Sequence, residues 1–402
     1  LYSTLLAMIY LAFVSLGLPD SLVGAGWPVM HGDLGVPTSY AGIITMLIAV
    51  GTIVSSLQSD RLTRRFGTGV VTTTSVALTA AALIGFSTAS EFWMLLIWTI
   101  PYGLGAGAVD AALNNYVALH YSSRHMSWLH SCWGVGAAIS PFIMSYSLTQ
   151  GLGWSSGFRV VGLIQIIITF LLLAGIPLWN KVNPPVVTKA DDSDEDVAAA
   201  GPHISVAQAL KIRGVPFVLA AFFTYCAIEA TTILWASTFL VQDRAVAATT
   251  AASFASLFLI GITAGRFLSG FIADRVGDRG MIRLGTLLVG VGVVLIMIPL
   301  ENDGLALAGL VTAGFGCAPI YPSIIHSTPT NFGRHTSHAI IGIQMAAAYL
   351  GSTLMPPLFG FIAQGVGMWL FPFYLALLAV VMFVMSELLN RSVGRVKEAT
   401  PV

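Results

Sequence analysis

The sequence predicts an all-α membrane protein of twelve transmembrane helices in two six-helix bundles, the two related by a pseudo-twofold axis. Three observations carry that prediction. Of 402 residues, 56% are hydrophobic and only 9% charged, against about 25% charged in an ordinary soluble domain, so most of the surface must meet lipid. Apolar runs long enough to span a bilayer, about 20 residues each, recur along the chain. One polar interval divides those runs into six and six. It covers 181–213 and holds Asp191, Asp192, Asp194, Glu195 and Asp196 between Pro184-Pro185 and Gly201-Pro202. The predicted organisation is an N-terminal bundle over 1–180, a linker over 181–213 and a C-terminal bundle over 214–402.

In chain order the first half offers spans over 3–29, 38–58, 68–88, 92–119, 127–149 and 156–180. The second offers 214–241, 248–272, 281–300, 303–328, 336–363 and 367–390. Glycine (41) and proline (18) are frequent, as membrane helices tolerate when neighbours satisfy the freed backbone groups. Orientation follows from the basic residues. With twelve helices both termini share a side, and fifteen of the eighteen lysines and arginines fall there; Arg159 and Arg244 lie opposite, and Arg266 is left inside a helix. Both termini and the linker are therefore expected in the cytoplasm, with the chain in the plasma (inner) membrane. The opening residues carry no signal-peptide cleavage pattern, and a start at Leu1 implies that the natural chain begins earlier.

The two halves echo each other. Asp60-Arg61 follows the second span and Asp274-Arg275 the eighth. Gln150-Gly151 closes the fifth and Gln364-Gly365 the eleventh. Gly103-Leu104-Gly105 in the fourth matches Gly314-Phe315-Gly316 in the tenth. Corresponding positions of this kind argue for a duplicated six-helix unit, a common plan among transporters, with the binding site expected between the repeats.

The loop after the eighth span reads Gly270-Phe271-Ile272-Ala273-Asp274-Arg275-Val276-Gly277-Asp278-Arg279. Its first-half partner runs from Ser56 through Asp60-Arg61-Leu62-Thr63-Arg64-Arg65. A small residue lets helices approach closely, and the acid can accept from helix-start N–H groups or pair with arginine. These loops resemble the G-x-x-x-D-R-x-G-R-K/R signature of the major facilitator superfamily. That resemblance implies the superfamily's two-bundle fold and a conformational latch built from Asp60, Arg61, Arg64, Arg65, Gly270, Asp274, Arg275, Gly277 and Arg279. The first copy departs from the signature, with Ser56 for the opening glycine and Thr63 for the second.

Acids at mid-span are costly, at least about 2.5–3.5 kcal/mol on insertion scales, and mark candidate functional sites. Asp20 follows Pro19, which frees a carbonyl one turn earlier and predicts a broken helix there. Asp110 and Asn114 share a helix face, with Asn115 beside them. Glu229 lies in the seventh span. A titrating acid of this kind suits a proton-coupled carrier; the other reading is buried pairing, with Arg266 available to Glu229 or Asp274. Trp27 and Trp235 follow Asp20 and Glu229 by about two turns, as platforms for a sugar ring or, for Trp27, as an interfacial belt residue. His130 and Trp133 in the fifth span, Tyr321 in a tenth span kinked by Pro319 and Pro322, and Gln344 and Tyr349 in the eleventh complete the candidate solute ligands. His130 alone in an apolar helix also reads as structural.

Within the superfamily the chain most resembles the fucose–galactose–glucose:proton symporters. The resemblance rests on Asp20, on Asp110 with Asn114, on Leu129-His130 with the glycines after them, and on Glu229. It implies Asp110 as the main proton carrier and Asp20 as the link between proton and sugar. Asp at 110 where Glu is common, and Asn115 for a usual proline, are departures. The rival expectation is a drug/proton antiporter, which usually carries arginine where this chain has Thr99; a non-transporting receptor of the same fold is a third. The net charge of zero offers no bulk attraction to nucleic acid. Cys132, Cys226 and Cys317 show no metal spacing, no cofactor motif is present, and nothing suggests an enzyme. The expected partners are a small solute, protons and the lipid bilayer, and the expected state is a monomer.

Overall fold

The computed structural model describes residues 2–36, 40–182, 205–246, 248–298 and 304–398. The acidic run of the linker lies outside the described residues; the linker's described end begins with a one-turn helix over Val206–Ala209. Its N-terminus is closed by a capping box, in which Ser205 accepts from the Gln208 backbone and Gln208 from Ser205.

The described chain is helical throughout. The first half comprises α1 (Tyr2–Gly17), α2 (Leu22–Asp33), α3 (Ala41–Phe66), α4 (Thr68–Thr88), α5 (Phe92–His120), α6 (Ser123–Thr149) and α7 (Gly153–Val182). After the short α8 (Val206–Ala209), the second half comprises α9 (Val215–Gln242), α10 (Ala248–Met297), α11 (Gly304–Cys317), α12 (Ile320–Phe332), α13 (Arg334–Val366) and α14 (Phe371–Glu398). Ten helical stretches among the described residues are long and apolar enough to cross a membrane. The difference from the expected twelve has two sources. α10 runs continuously through Gly277, although that residue is non-helical (φ 74, ψ 158) and divides it. α6 is too polar to qualify, since its first turns carry Ser123, Arg124, His125, Ser127, His130 and Ser131.

Two breaks expected from proline are present. α1 and α2 are separated at Leu18–Ser21, so Asp20 sits in the gap, and α11 and α12 are separated at Ala318 and Pro319. The paired loops differ in an unexpected way. Thr63 lies inside α3, and the turn is made at Gly67, whose φ 81 and ψ 155 nearly match those of Gly277. The first copy keeps its helix for one more turn because a β-branched threonine cannot take positive φ, whereas glycine can.

Contacts divide the chain into two compact units, Leu1–Tyr116 with Cys132–His203, and Val117–Ser131 with Ile204–Val402. The start of α6 thus packs with the second half, a departure from division at the linker. Each unit is built on close helix crossings. In the first, a Cβ on Gly103 would fall 3.0 Å from the Gly51 Cα; in the second, one on Gly314 would fall 3.2 Å from the Gly261 Cα. These matched crossings join α3 to α5 and α10 to α11, as an internal repeat requires. Hydroxyls reinforce the first crossing: Ser55, Ser56 and Ser59 of α3 donate to the carbonyls of Gly103, Gly107 and Ala108 at 3.3, 3.4 and 3.0 Å. In lipid such small polar residues hold helices together where apolar burial offers no advantage. Large apolar side chains such as Phe142, Phe170 and Phe361 point outward.

Candidate functional site

In the first unit, the break after Pro19 presents Asp20 to two neutral donors. Tyr102 Oη donates to Oδ1 at 3.3 Å, and Trp133 Nε1 donates to Oδ2 at 2.8 Å. Tyr102 and Trp133 come from α5 and α6, so three elements meet at this carboxylate. Asp20 is nevertheless exposed. Asp110 is buried in α5, where the Asn114 amide donates to its Oδ1 at 2.7 Å and to its backbone carbonyl at 2.9 Å. Asn115 is also buried. Trp27 packs in an aromatic group with His31 and Phe92, at centroid distances of 6.3 and 6.4 Å.

In the second unit, Glu229 has a cationic partner. Arg266 Nη2 donates to its Oε1 at 3.3 Å and to Tyr225 Oη at 3.4 Å. Of the two acids open to Arg266 from sequence, Glu229 is therefore the one it meets. Tyr321 sits among three rings: His130 at 4.5 Å, Phe222 at 4.6 Å and Tyr225 at 6.1 Å. Its hydroxyl contacts Met345 Sδ at 3.2 Å. Gln344 is fully buried; its Oε1 accepts from Thr328 Oγ1 at 3.0 Å, and its Nε2 has no hydrogen-bond partner. Tyr349 is half-buried nearby on α13. Trp235 does not face Glu229's partners: its Nε1 donates to Pro356 O at 2.8 Å and its ring meets Phe359.

The loop residues separate into two environments. Asp60 pairs with Arg64 one turn on, at 2.8 Å, within α3, and Arg65 lies over the Phe66 ring. Asp274 accepts from Ser122 Oγ, the Arg124 backbone N–H and Arg124 Nε. It therefore caps the start of α6, where helix-start N–H groups favour an anion. Asp278 accepts from Ser123 Oγ at 2.7 Å and meets His326 Nδ1 at 2.7 Å; His326 Nε2 faces the Tyr121 carbonyl at 3.1 Å. Arg334 donates to the Leu119 carbonyl at 2.9 Å. Burial first, and then the adjacent Arg124, hold the His125 imidazole below its ordinary range. The predicted set did not include Ser122, Ser123, Arg124, Asp278 or His326. Asp278 lies inside the quoted loop, but nothing in sequence brings His326 to it. Tyr102 had no signal beyond preceding Gly103, whereas Tyr225 did: it stands four residues before Glu229, on the same helix face.

Among the described residues no three His, Cys, Asp or Glu side chains group as a metal site. The sequence profile of the Major Facilitator Superfamily matches residues 9–245 and 217–399. The chain belongs to the Major Facilitator Superfamily. As a superfamily member it is a membrane transporter and not an enzyme. It is similar to Bypass of stop codon protein 6 of Saccharomyces cerevisiae, 24% identical over 390 residues, covering 90% of this chain and 77% of that one. Among solved structures it resembles the E. coli fucose:proton symporter FucP, with a TM-score of 0.70, 17% identity, and 96% of this chain and 97% of that chain covered. It also resembles the proton:xylose symporter XylE, with a TM-score of 0.76, 13% identity, and 96% and 95% covered. At such identities the likeness speaks for the fold.

Proposed function

We propose that this transporter is a proton-coupled symporter of a small polar solute, a sugar or sugar derivative, working by alternating access. In this reading the chain has twelve spans, its termini and linker face the cytoplasm, and it acts as a monomer in the inner membrane. Asp110 carries the proton, and Asp20 couples protonation to solute binding. The observation that carries the reading is Asp20 itself. Its exposed carboxylate lies at a helix break deep in an apolar span and is held by the neutral donors Tyr102 and Trp133. A carboxylate held this way can accept a proton without abandoning an ion pair, and its donors can turn to a solute hydroxyl. Structural likeness to two sugar:proton symporters supports the same class. Thr99 takes the place where the antiporter reading needs an arginine, and its hydroxyl is spent on the Leu96 carbonyl.

The test is uptake by reconstituted vesicles under an imposed proton gradient. Wild type accumulates solute and loses accumulation when the gradient is dissipated. Asp110→Asn loses accumulation yet keeps exchange down a solute gradient. Undiminished uphill uptake by that variant removes Asp110 from the mechanism.

A further inference from the structure

We propose that the first unit carries a binding site for one anionic phospholipid, whose acyl chain lies in a groove between α4, α5 and α7 and whose phosphate meets Arg159. The site is independent of how transport is coupled.

The groove encloses about 430 Å3, within the range of about 300–1,000 Å3 usual for small-molecule sites. α4 forms its floor with Ala77, Ala81 and Gly85. Trp98 of α5 forms one wall, and its ring fills the space that a side chain at Gly85 would need. Ile166 and Phe170 of α7 form the other wall. Phe170 is exposed, as are Ile97 and Ile167 on the same two helices as the walls. A contiguous apolar surface of this kind on a transporter faces the bilayer.

The lining suits hydrocarbon. Its two hydroxyls are spent on the helices that carry them: Thr88 donates to the Gly85 carbonyl at 2.9 Å and Thr169 to the Gln165 carbonyl at 2.8 Å. A sugar or an ion would lose its hydration there without compensation. The remaining polar group of the lining, the Trp98 indole, sits over Gly85, one turn inside the end of α4. Tryptophan is favoured at that level, where one side of the ring meets lipid and the other the headgroups.

The length selects a lipid tail. The α4 lining runs from Ala77 to Thr88, the last residue of the helix. At about 1.5 Å per residue that distance is about 16 Å. Half of a bilayer core of about 30 Å is about 15 Å. The groove therefore has the depth of one leaflet, from the helix end to the bilayer midplane.

Arg159 places a positive charge at the outer end. α4 and α7 are antiparallel neighbours, with Gly162 against Ile84 and Gly69 against Trp179. Arg159 lies one turn before Gly162, and Thr88 one turn after Ile84, so the two stand level. Along α7, Arg159, Ile166 and Phe170 share one face. Arg159 is exposed. The other arginine expected on this side of the membrane, Arg244, is committed to the Ile296 and Ile298 carbonyls and to Asp243. Arg159 has no ion pair among the described residues. In a bilayer every tail finds apolar contact, so burial of the chain alone selects nothing. The groove fixes where the chain lies, and Arg159 decides which headgroup is kept.

The test uses the full-length chain in phosphatidylcholine vesicles that carry a small fraction of brominated phosphatidylglycerol or, for comparison, brominated phosphatidylcholine. Fluorescence quenching that disappears in Trp98→Phe reports the lipid in the groove. Phosphatidylglycerol should occupy it about fivefold over phosphatidylcholine, the preference that one arginine near the surface provides. Arg159→Gln should bring the two lipids to parity. Ala81→Phe, which fills the groove, should also abolish the preference. Arg159 and Ala81 are both exposed, so neither change disturbs the packing of the unit. Should Trp98→Phe fail to fold, the lipid mass retained by the detergent-purified protein makes the same comparison for wild type and both other variants. Parity of the two lipids in the wild type overturns the proposal, since any tail then serves. A preference that survives either Arg159→Gln or Ala81→Phe overturns it as well.

Discussion

The Trp128 indole occupies the space beside Gly270: a Cβ built on that glycine would lie 2.1 Å from Nε1. The same nitrogen donates to the Phe267 carbonyl at 3.3 Å, and the ring meets Phe271 edge-on at 5.6 Å. The opening glycine of the loop signature is therefore the seat of a tryptophan from the start of α6. In the first copy, Ser56 at this position instead donates to a carbonyl of α5. Gly270→Ala should destabilise the protein by about 1–3 kcal/mol, as overpacking does. Thermal unfolding in detergent measures this, and Trp128→Ala on the same background should restore part of the loss. Purely additive losses in the double variant would show that the contact is not the cause.

The shifted turn gives a second expectation. Gly67 and Gly277 each hold positive φ, so alanine at either position should cost about 1–2 kcal/mol. Thr63→Gly restores the signature by sequence but lies inside α3. It should therefore cost up to about 1 kcal/mol, as glycine in a helix does, and improve nothing. Thermal stability of the three variants side by side is the measurement. A stabilised Thr63→Gly would place the turn where the signature has it.

The donors to Asp20 are separable. Trp133→Phe removes the 2.8 Å bond and Tyr102→Phe the 3.3 Å bond, and each leaves the ring in place. Loss of a hydrogen bond to a charged group costs about 1.5–3 kcal/mol. Apparent affinity for the transported solute should fall about tenfold or more in Trp133→Phe, less in Tyr102→Phe, and proton-driven accumulation should vanish in Asp20→Asn. Initial-rate uptake across solute concentrations reads all three. Wild-type affinity in both ring variants would mean that these donors do not belong to the solute site.

Trp235 is set to pack helices. Its N–H is committed to Pro356 O, and Gly360 leaves room for its ring, since a Cβ there would come within 2.6 Å. Trp235→Phe should lower stability by about 0.5–1.5 kcal/mol through the lost hydrogen bond, with solute affinity unchanged. A selective loss of affinity at normal stability would return this residue to the solute site.

Much of the fold was legible because lipid imposes simple rules. Apolar length gave the ten membrane-crossing stretches found among the described residues, and Pro19 and Pro319 gave the breaks. What stayed hidden depends on residues far apart in sequence. The Asp274 and Asp278 loop binds Ser122, Ser123 and Arg124 about 150 positions earlier, and no local pattern announces such a pairing. The candidate site was legible as a set of acids, since a charge in an apolar run is conspicuous whatever it touches. Their partners were less so. Arg266 stood out by its charge and Tyr225 shared a face with Glu229, but Tyr102 is an ordinary aromatic until the break in the first span turns Asp20 toward it. The turn of the first loop was not legible, because the signature specifies a glycine at the register where this chain has Thr63, while the chain turns at Gly67, four residues later.

The three serine hydroxyls of α3 that reach α5 carbonyls have a mechanical consequence. Sliding one helix past the other by even a single residue would break the bonds of Ser56 and Ser59 and leave Ser55 only the Thr52 carbonyl of its own helix, in a medium with no water to take up the loss. These two helices are thus pinned together and must travel as one strut.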